Sequence, residues 1–166
     1  MMQIVAETLE VLAIKDKDAS HSDLFGRSAF NRYYYAPFLI TRETISEMKS
    51  NWKGTAHAEI PNLLVKGLRK PAAAIRTQVK VGLIDHGDKS RILGEFNSTG
   101  QELAQLLREA YDARIAADYE PELKIHKDGN IITLKSYSLS SAKNWPRRTR
   151  QLCSLLLRGW EDIGLA

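Results

Sequence analysis

The sequence predicts a mainly α fold, a helical bundle of about five helices with a small β-hairpin before the last one. Two long apolar stripes at helical spacing, near residues 24–48 and 100–119, supply the bundle. Alternation around Asp128-Gly129-Asn130 supplies the hairpin, over about residues 123–138. The 166 residues suit a single domain, residues 1–166, long enough to bury a core without disulfides or metal.

Each element has its own signal. Ile4, Val5, Leu9, Leu12 and Ala13 recur at spacings of three and four, which predicts a short amphipathic helix over about residues 2–14. KDKDASHSD breaks it, and Ser22 or Asp23 is expected to cap the next helix, from about Leu24 to Met48. In that helix Phe25, Ala29, Ala36 and Ile40 form one stripe, with Phe30, Tyr33 and Tyr34 beside it. Pro37 lies within the stripe, removes one hydrogen bond and predicts a kink.

Residues 50–84 read as irregular, because Gly54, Pro61 and Gly67 interrupt them, with one helix after Pro71 ending at Gly82. DHGDKS reads as a polar turn. The helix from about Gly100 to Tyr119 carries Leu103, Leu106, Leu107, Ala110 and Ala117 on one face, and Pro121 ends it. A last helix over about 141–163 turns Leu152, Leu155, Leu156, Trp160 and Ile163 toward the core.

Composition bounds the chemistry. Apolar residues are 43 % and charged residues 27 %, ordinary for a soluble globular protein. No run of about 18 apolar residues occurs, and the N-terminus lacks the basic lead of a secretory signal. Cys153 is the sole cysteine, so no disulfide framework forms within the chain, and a reducing cytoplasm is expected. Cys153 lies among leucines, as a buried inert thiol does. The histidines His21, His57, His86 and His126 show no metal-ligand spacing, and no phosphate-loop, dinucleotide or serine-hydrolase motif occurs. Neither metal nor cofactor is expected. The net charge of +4 permits a nucleic-acid partner without requiring one. Arg147, Arg148 and Arg150 near the start of the last helix suit either solvent or phosphate.

Two arginines stand on apolar stripes. Arg114 follows Leu103, Leu106, Leu107 and Ala110, and Arg32 lies between Ala29 and Ala36. A guanidinium is not buried without partners, since desolvating a charge costs several kcal/mol. Asp118, one turn after Arg114, is the nearest acid. Two inward arginines with tyrosines nearby fit a cleft for a phosphate or a base; an Arg–Asp network locking the helices is the other reading.

At these residues the sequence resembles a known family. Asn31-Arg32-Tyr33-Tyr34-Tyr35-Ala36-Pro37-Phe38 resembles the S-R-x-Y-Y-A-x-F signature on the second helix of HEPN domains. Arg114-Ile115-Ala116-Ala117-Asp118-Tyr119 resembles the R-x-x-A-D-Y signature of a later helix, and His57 resembles a histidine that lies between the two. The resemblance covers about residues 24–120. It implies a compact helical bundle that forms a homodimer, from prokaryotic toxin–antitoxin, anti-phage or CRISPR-linked systems. Many members are metal-independent ribonucleases, in which an arginine holds the scissile phosphate and a histidine four to six residues later moves protons. It thus implies catalytic roles for Arg114 and Tyr119, and substrate contacts for Arg32, Tyr35, His57 and Asp118.

The pattern is broken at three points: Pro37 falls within the Tyr-Tyr-Ala motif, the hairpin enlarges the usual inter-helix link, and the motif histidine is missing. Tyr119 stands where the histidine belongs, and the next histidine, His126, lies beyond Pro121. A tyrosine, with an ordinary pKa of about 10, is a poor general base at neutral pH. Two expectations follow: a protein that binds RNA or a nucleotide, with or without cleavage, or a non-catalytic module docking on a nucleotidyltransferase, an antitoxin or another protein. A homodimer is further expected because Tyr33, Tyr34 and Tyr35 span too wide an arc to face one core.

Overall fold

A computed structural model describes residues 1–68 and 85–162. The expected helix between Pro71 and Gly82 lies outside the described residues, as does Ile163. The fold is mainly helical. Helix α1 spans Met2–Lys15 and α2 spans Ala19–Met48. Two 3₁₀ turns, Ser50–Trp52 and His57–Glu59, lead into α3, Ile60–Asn62, and a π-helical turn, Leu63–Gly67. Helix α4 spans His86–Tyr119. Strands β1 (His126–Asp128), β2 (Ile131–Leu134) and β3 (Tyr137–Ser138) form an antiparallel sheet in the order β1-β2-β3. A short α5, Leu139–Ala142, precedes α6, Trp145–Asp162. No described helix is long and apolar enough to cross a membrane.

Two helix starts differ from expectation, for the same reason. Helix α2 begins five residues early, because the Asp18 carboxylate, not Ser22 or Asp23, accepts the Ser20 and His21 amides at 2.8 and 3.1 Å. Ser22 instead donates to the Ala13 carbonyl at 2.7 Å, and Asp23 accepts the Ile125 amide at 2.9 Å. DHGDKS is no turn but the start of α4: the Asp85 carboxylate accepts the Gly87 amide at 2.9 Å. A polar, glycine-containing stretch reads as a turn or as a helix start, and a carboxylate that captures an orphan amide makes it the latter. Helix α2 contains Pro37 and continues to Met48.

The hairpin carries a third strand. Gly129 alone of the first turn's central residues has positive φ, 57°, the pattern of a type II′ turn. The second turn places Lys135 at φ 53°, where a side chain is strained, and its ammonium pairs with Glu120 at 2.6 Å. Ile132 and Leu134 point inward while Ile131 is exposed, the period-2 alternation of a half-buried strand.

The chain divides into two compact units, residues 1–39 with 107–148 and residues 40–106 with 149–166. In the first unit α2 and α4 run antiparallel: Arg27 reaches Ala117 and Glu120, whereas Tyr34 meets the Tyr111 ring at 5.8 Å. Ala29, Phe30, Tyr33, Tyr34, Ala110 and Ala113 are buried there. The sheet crosses α2 at Gly26, where a Cβ would lie 2.8 Å from the Ile125 Cδ1. The second unit is built of larger side chains. Ile45, Ile60, Leu64, Phe96, Leu103, Leu156 and Trp160 are buried, and Trp160 meets the Trp52 and Phe96 rings at 5.8 and 6.4 Å. Gly100 admits the π-turn, since a Cβ would stand 3.0 Å from the Leu64 carbonyl oxygen.

Three stripes lie differently from the sequence-based expectation. On α2 the buried line runs through Ala29, Phe30, Tyr33, Tyr34 and Thr41, leaving Arg32 exposed. The helix is rolled toward its aromatic residues, which bury more apolar area than the alternative line with its two alanines. On α6 Leu152, Cys153, Leu156 and Trp160 are buried, while Leu155, one step round the helix, is 45 % exposed. On α1 Ala6 and Ala13 are buried, while Ile4, Val5, Val11 and Leu12 are exposed. Of the tyrosine arc only Tyr35 is left partly open to the surface. Tyr33 and Tyr34 are buried and Tyr35 is half-buried, its ring 5.3 Å from that of Tyr34. The tyrosines therefore give no reason for a dimer.

Candidate functional site

The last two turns of α4 face the middle of α2 within the first unit. Arg114 is half-buried, its side chain 17 % exposed. Its Nε lies 2.8 Å from Asp118 Oδ2, one turn along, but the N–H does not point at that oxygen, so the contact is an ion pair without a directed hydrogen bond. Nη2 donates to the Tyr119 hydroxyl at 3.3 Å, and the guanidinium carbon stands 5.0 Å from the centre of the Tyr119 ring. Burial pulls the Arg114 pKa down, but Tyr119 and the Asp118 carboxylate outweigh it, and the net shift is upward. Arg114 is therefore a fixed cation.

Asp118 is shared. The Asn31 amide nitrogen donates to both of its oxygens, at 3.0 and 2.7 Å. Asp118 thus turns to Arg114 and Asn31, and links α4 to α2. Beside this cluster lies a groove of about 290 Å³, lined by Leu24, Ser28, Asn31, Arg32, Ala117 and Asp118 together with Arg27. Arg32 is exposed at this groove rather than buried beneath it. The Tyr119 ring is 64 % exposed. Tyr35 is half-buried, and its Coulombic effect reaches Arg114. Tyr34 is buried behind them, and burial pushes its hydroxyl far above the ordinary value.

His57 belongs to the second unit, half-buried on its own 3₁₀ turn. His126 lies on β1, exposed. The groove's lining holds a carboxylate, an amide and two guanidiniums but no imidazole among the described residues.

Sequence periodicity assigns no role to Arg27, yet this is the arginine that joins the helices. Its Nε pairs with Asp23 at 3.0 Å, and its two Nη atoms donate to the carbonyls of Ala116, Ala117 and Glu120 at 3.3, 2.9 and 3.1 Å. The Ala116 and Ala117 carbonyls belong to the last turn of α4, where carbonyls lack intrahelical partners, and Glu120 follows the helix, its carbonyl also accepting the Leu123 amide at 3.1 Å. Lys127 does the same for α1, donating to the Ala13 and Asp16 carbonyls at 3.2 and 2.9 Å. The signal for Arg27 is Asp23, one turn earlier on the same helix.

Comparison of the chain with family models, with curated proteins and with solved structures gives no match.

Proposed function

We propose that the chain is a HEPN-like domain that binds single-stranded RNA at the groove between Asn31, Arg32 and Asp118, with Tyr119 as a stacking platform. The observation that carries this reading is the Tyr119 ring, 64 % exposed and held against the Arg114 guanidinium at the end of α4. An exposed aromatic fixed in place offers a base a face to stack on, and stacking of this kind contributes about 1–3 kcal/mol per base. Exposed Arg32 supplies a phosphate contact, and the Asn31–Asp118 pair supplies donors and acceptors for a base edge.

The chemistry favours binding over cleavage. Attack by a 2′-hydroxyl needs a group that accepts its proton near neutral pH. The groove's described side chains offer a carboxylate already engaged by Arg114 and Asn31, and no imidazole. The resemblance in the Arg32 and Arg114 motifs is what supports reading the protein as part of a prokaryotic defence or toxin–antitoxin system.

The test is a titration of the purified chain into a short fluorescent single-stranded RNA, in the presence of a chelator, with the RNA afterwards run on a denaturing gel. The expected result is saturable binding, weakening as salt rises, with the RNA left intact. Arg32→Ala should lower affinity and make the salt dependence shallower by about one phosphate contact. RNA that is not bound at low salt contradicts the proposal. Cleavage abolished by Arg114→Ala would overturn its non-catalytic part alone.

A further inference from the structure

The second unit carries a groove of its own, about 430 Å³ in volume, between the first half of α4 and the last turns of α6. Leu155, Arg158, Gly159 and Asp162 line it from α6 at the spacing of one helix face. Phe96 lines it from α4 and is buried. Its ring packs over Gly159, where a Cβ would lie 2.8 Å from the Phe96 Cδ2. Above this apolar floor Leu155 is 45 % exposed and Ile92 is half-buried. The groove therefore explains why Leu155 stands outside the buried line of α6.

The rim is charged in an unusual way. Arg158 and Asp162 are one turn apart on α6, both exposed, yet they form no ion pair. With the cation placed before the acid, the order is the less favourable one for pairing on a helix. The Arg158 Nε donates to the Ser154 carbonyl at 3.5 Å, and neither Arg158 nor Asp162 has an ion-pair partner among the described residues. Glu95, on the opposite wall, is engaged by Arg91 at 3.4 Å. One open cation and one open anion thus stand side by side over an apolar floor.

We propose that this groove binds a small apolar zwitterion, a free amino acid with an aromatic or large aliphatic side chain. Its carboxylate meets the Arg158 guanidinium, its ammonium meets the Asp162 carboxylate, and its side chain lies on Phe96 between Ile92 and Leu155. Side chains four apart on a helix start about 5–6 Å from each other, a separation that one α-amino acid bridges with a hydrogen bond at each end. The volume lies in the range of small-molecule pockets, about 300–1,000 Å³. A nucleic-acid backbone fits poorly, because two carboxylates line the groove against one guanidinium. A residue inside a peptide fits poorly too, since it lacks both charges. The proposal is independent of RNA binding, which uses residues of the first unit.

The test is a titration of the full chain with phenylalanine, leucine and tryptophan to about 10 mM, enough to detect dissociation constants near 1 mM, followed by amide NMR. At least one should bind saturably, with the shifts centred on Phe96, Leu155 and Gly159. Phenethylamine, which lacks the carboxylate, and 3-phenylpropionate, which lacks the ammonium, should each bind about fivefold or more weakly than phenylalanine. Arg158→Gln should remove the preference for phenylalanine over phenethylamine, and Asp162→Asn the preference over 3-phenylpropionate. Both positions are exposed, so both variants should keep the circular-dichroism spectrum and melting temperature of the wild type. Glu161→Gln, exposed on the same turn but outside the groove, should bind as the wild type does. Binding of none of the three amino acids would overturn the proposal. So would equal binding of the two analogues and phenylalanine, shifts centred elsewhere, or a Glu161→Gln loss as large as that of Asp162→Asn.

Discussion

The two units of the chain are held together by different means. In the first, α4 presents Ala110, Ala113, Ala116 and Ala117 to its surroundings, all buried, and polar side chains do the joining. Arg27 closes the end of α4, Lys127 closes the end of α1, and Asn31 ties α2 to Asp118. In the second unit the described core is built on large apolar side chains: Phe96, Leu103, Leu156 and Trp160 are buried, and the Phe96 and Trp160 rings meet. Small side chains let backbones approach, and the exposed carbonyls of the helix ends then need donors. Both units carry charged groups at a groove, Arg27, Arg32 and Asp118 in the first and Glu95, Arg158 and Asp162 in the second, and in the first such groups join helix to helix. The contrast ties the candidate site to the unit whose architecture already requires partly buried charge.

That contrast is breakable at defined positions. The largest effect should come from Trp160→Ala, which empties the space between Trp52 and Phe96. Removing a buried aromatic side chain costs about 3–5 kcal/mol, measurable as a loss of urea-unfolding free energy. Next is Arg27→Met, which keeps the volume but removes the cation paired with Asp23 and the donor to the Ala116, Ala117 and Glu120 carbonyls. The expected loss is about 2–3 kcal/mol, and Asp23→Asn added to it should restore part. If Arg27→Met is neutral, the first unit is held by its apolar contacts after all.

A smaller effect sharpens the picture of the second unit. Cys153 is 3 % exposed, and burial pushes its thiol pKa up while Thr44 and Thr41 pull it down less. A thiol reagent should label it only at the rate of unfolding, at neutral and at mildly alkaline pH. Fast labelling in native buffer contradicts its burial.

The smallest effect is one of pH. The amides of His21 and Ser20 hold the Asp18 carboxyl below its usual value of 3.8. A group whose folded pKa is depressed stabilises the fold above its unfolded pKa, and that contribution disappears as pH falls through the folded pKa. The wild type should therefore melt slightly higher than Asp18→Asn at pH 7, and the difference should vanish in acid below the folded pKa. A difference that persists in strong acid assigns the effect to something other than the carboxylate charge.

Much of the fold was legible in the sequence. The stripes on α2, α4 and α6 have the helical period, and Asp128-Gly129-Asn130 marks the first hairpin turn. Periodicity gives a stripe but not the side on which it is buried. On α1 the apolar residues point outward because Tyr33 and Lys143 draw Glu10 inward. On α2 the two candidate lines lie about 100° apart, and the choice between them decides whether Arg32 is buried. The aromatic line won, so Arg32 faces outward and Arg27 fastens the helices. For the site, the pairing of Arg114 with Asp118 follows from a spacing of four on one helix. The Asn31 contact was not legible, because it spans 87 positions and depends on how α2 and α4 are docked.

The central claim rests on Tyr119, and one comparison tests it most directly: RNA affinity and melting temperature of the wild type, Tyr119→Phe and Tyr119→Ala, measured side by side. The ring is mostly exposed, so neither substitution should move the melting temperature by more than a surface change does, about 0.5 kcal/mol in stability. Tyr119→Phe keeps the stacking face and should bind RNA nearly as the wild type does. Tyr119→Ala should lose on the order of tenfold in affinity or more. Equal RNA affinity for all three proteins, or a loss of binding in Tyr119→Ala that only tracks a loss of folding, would contradict the assignment of this residue and with it the proposed site.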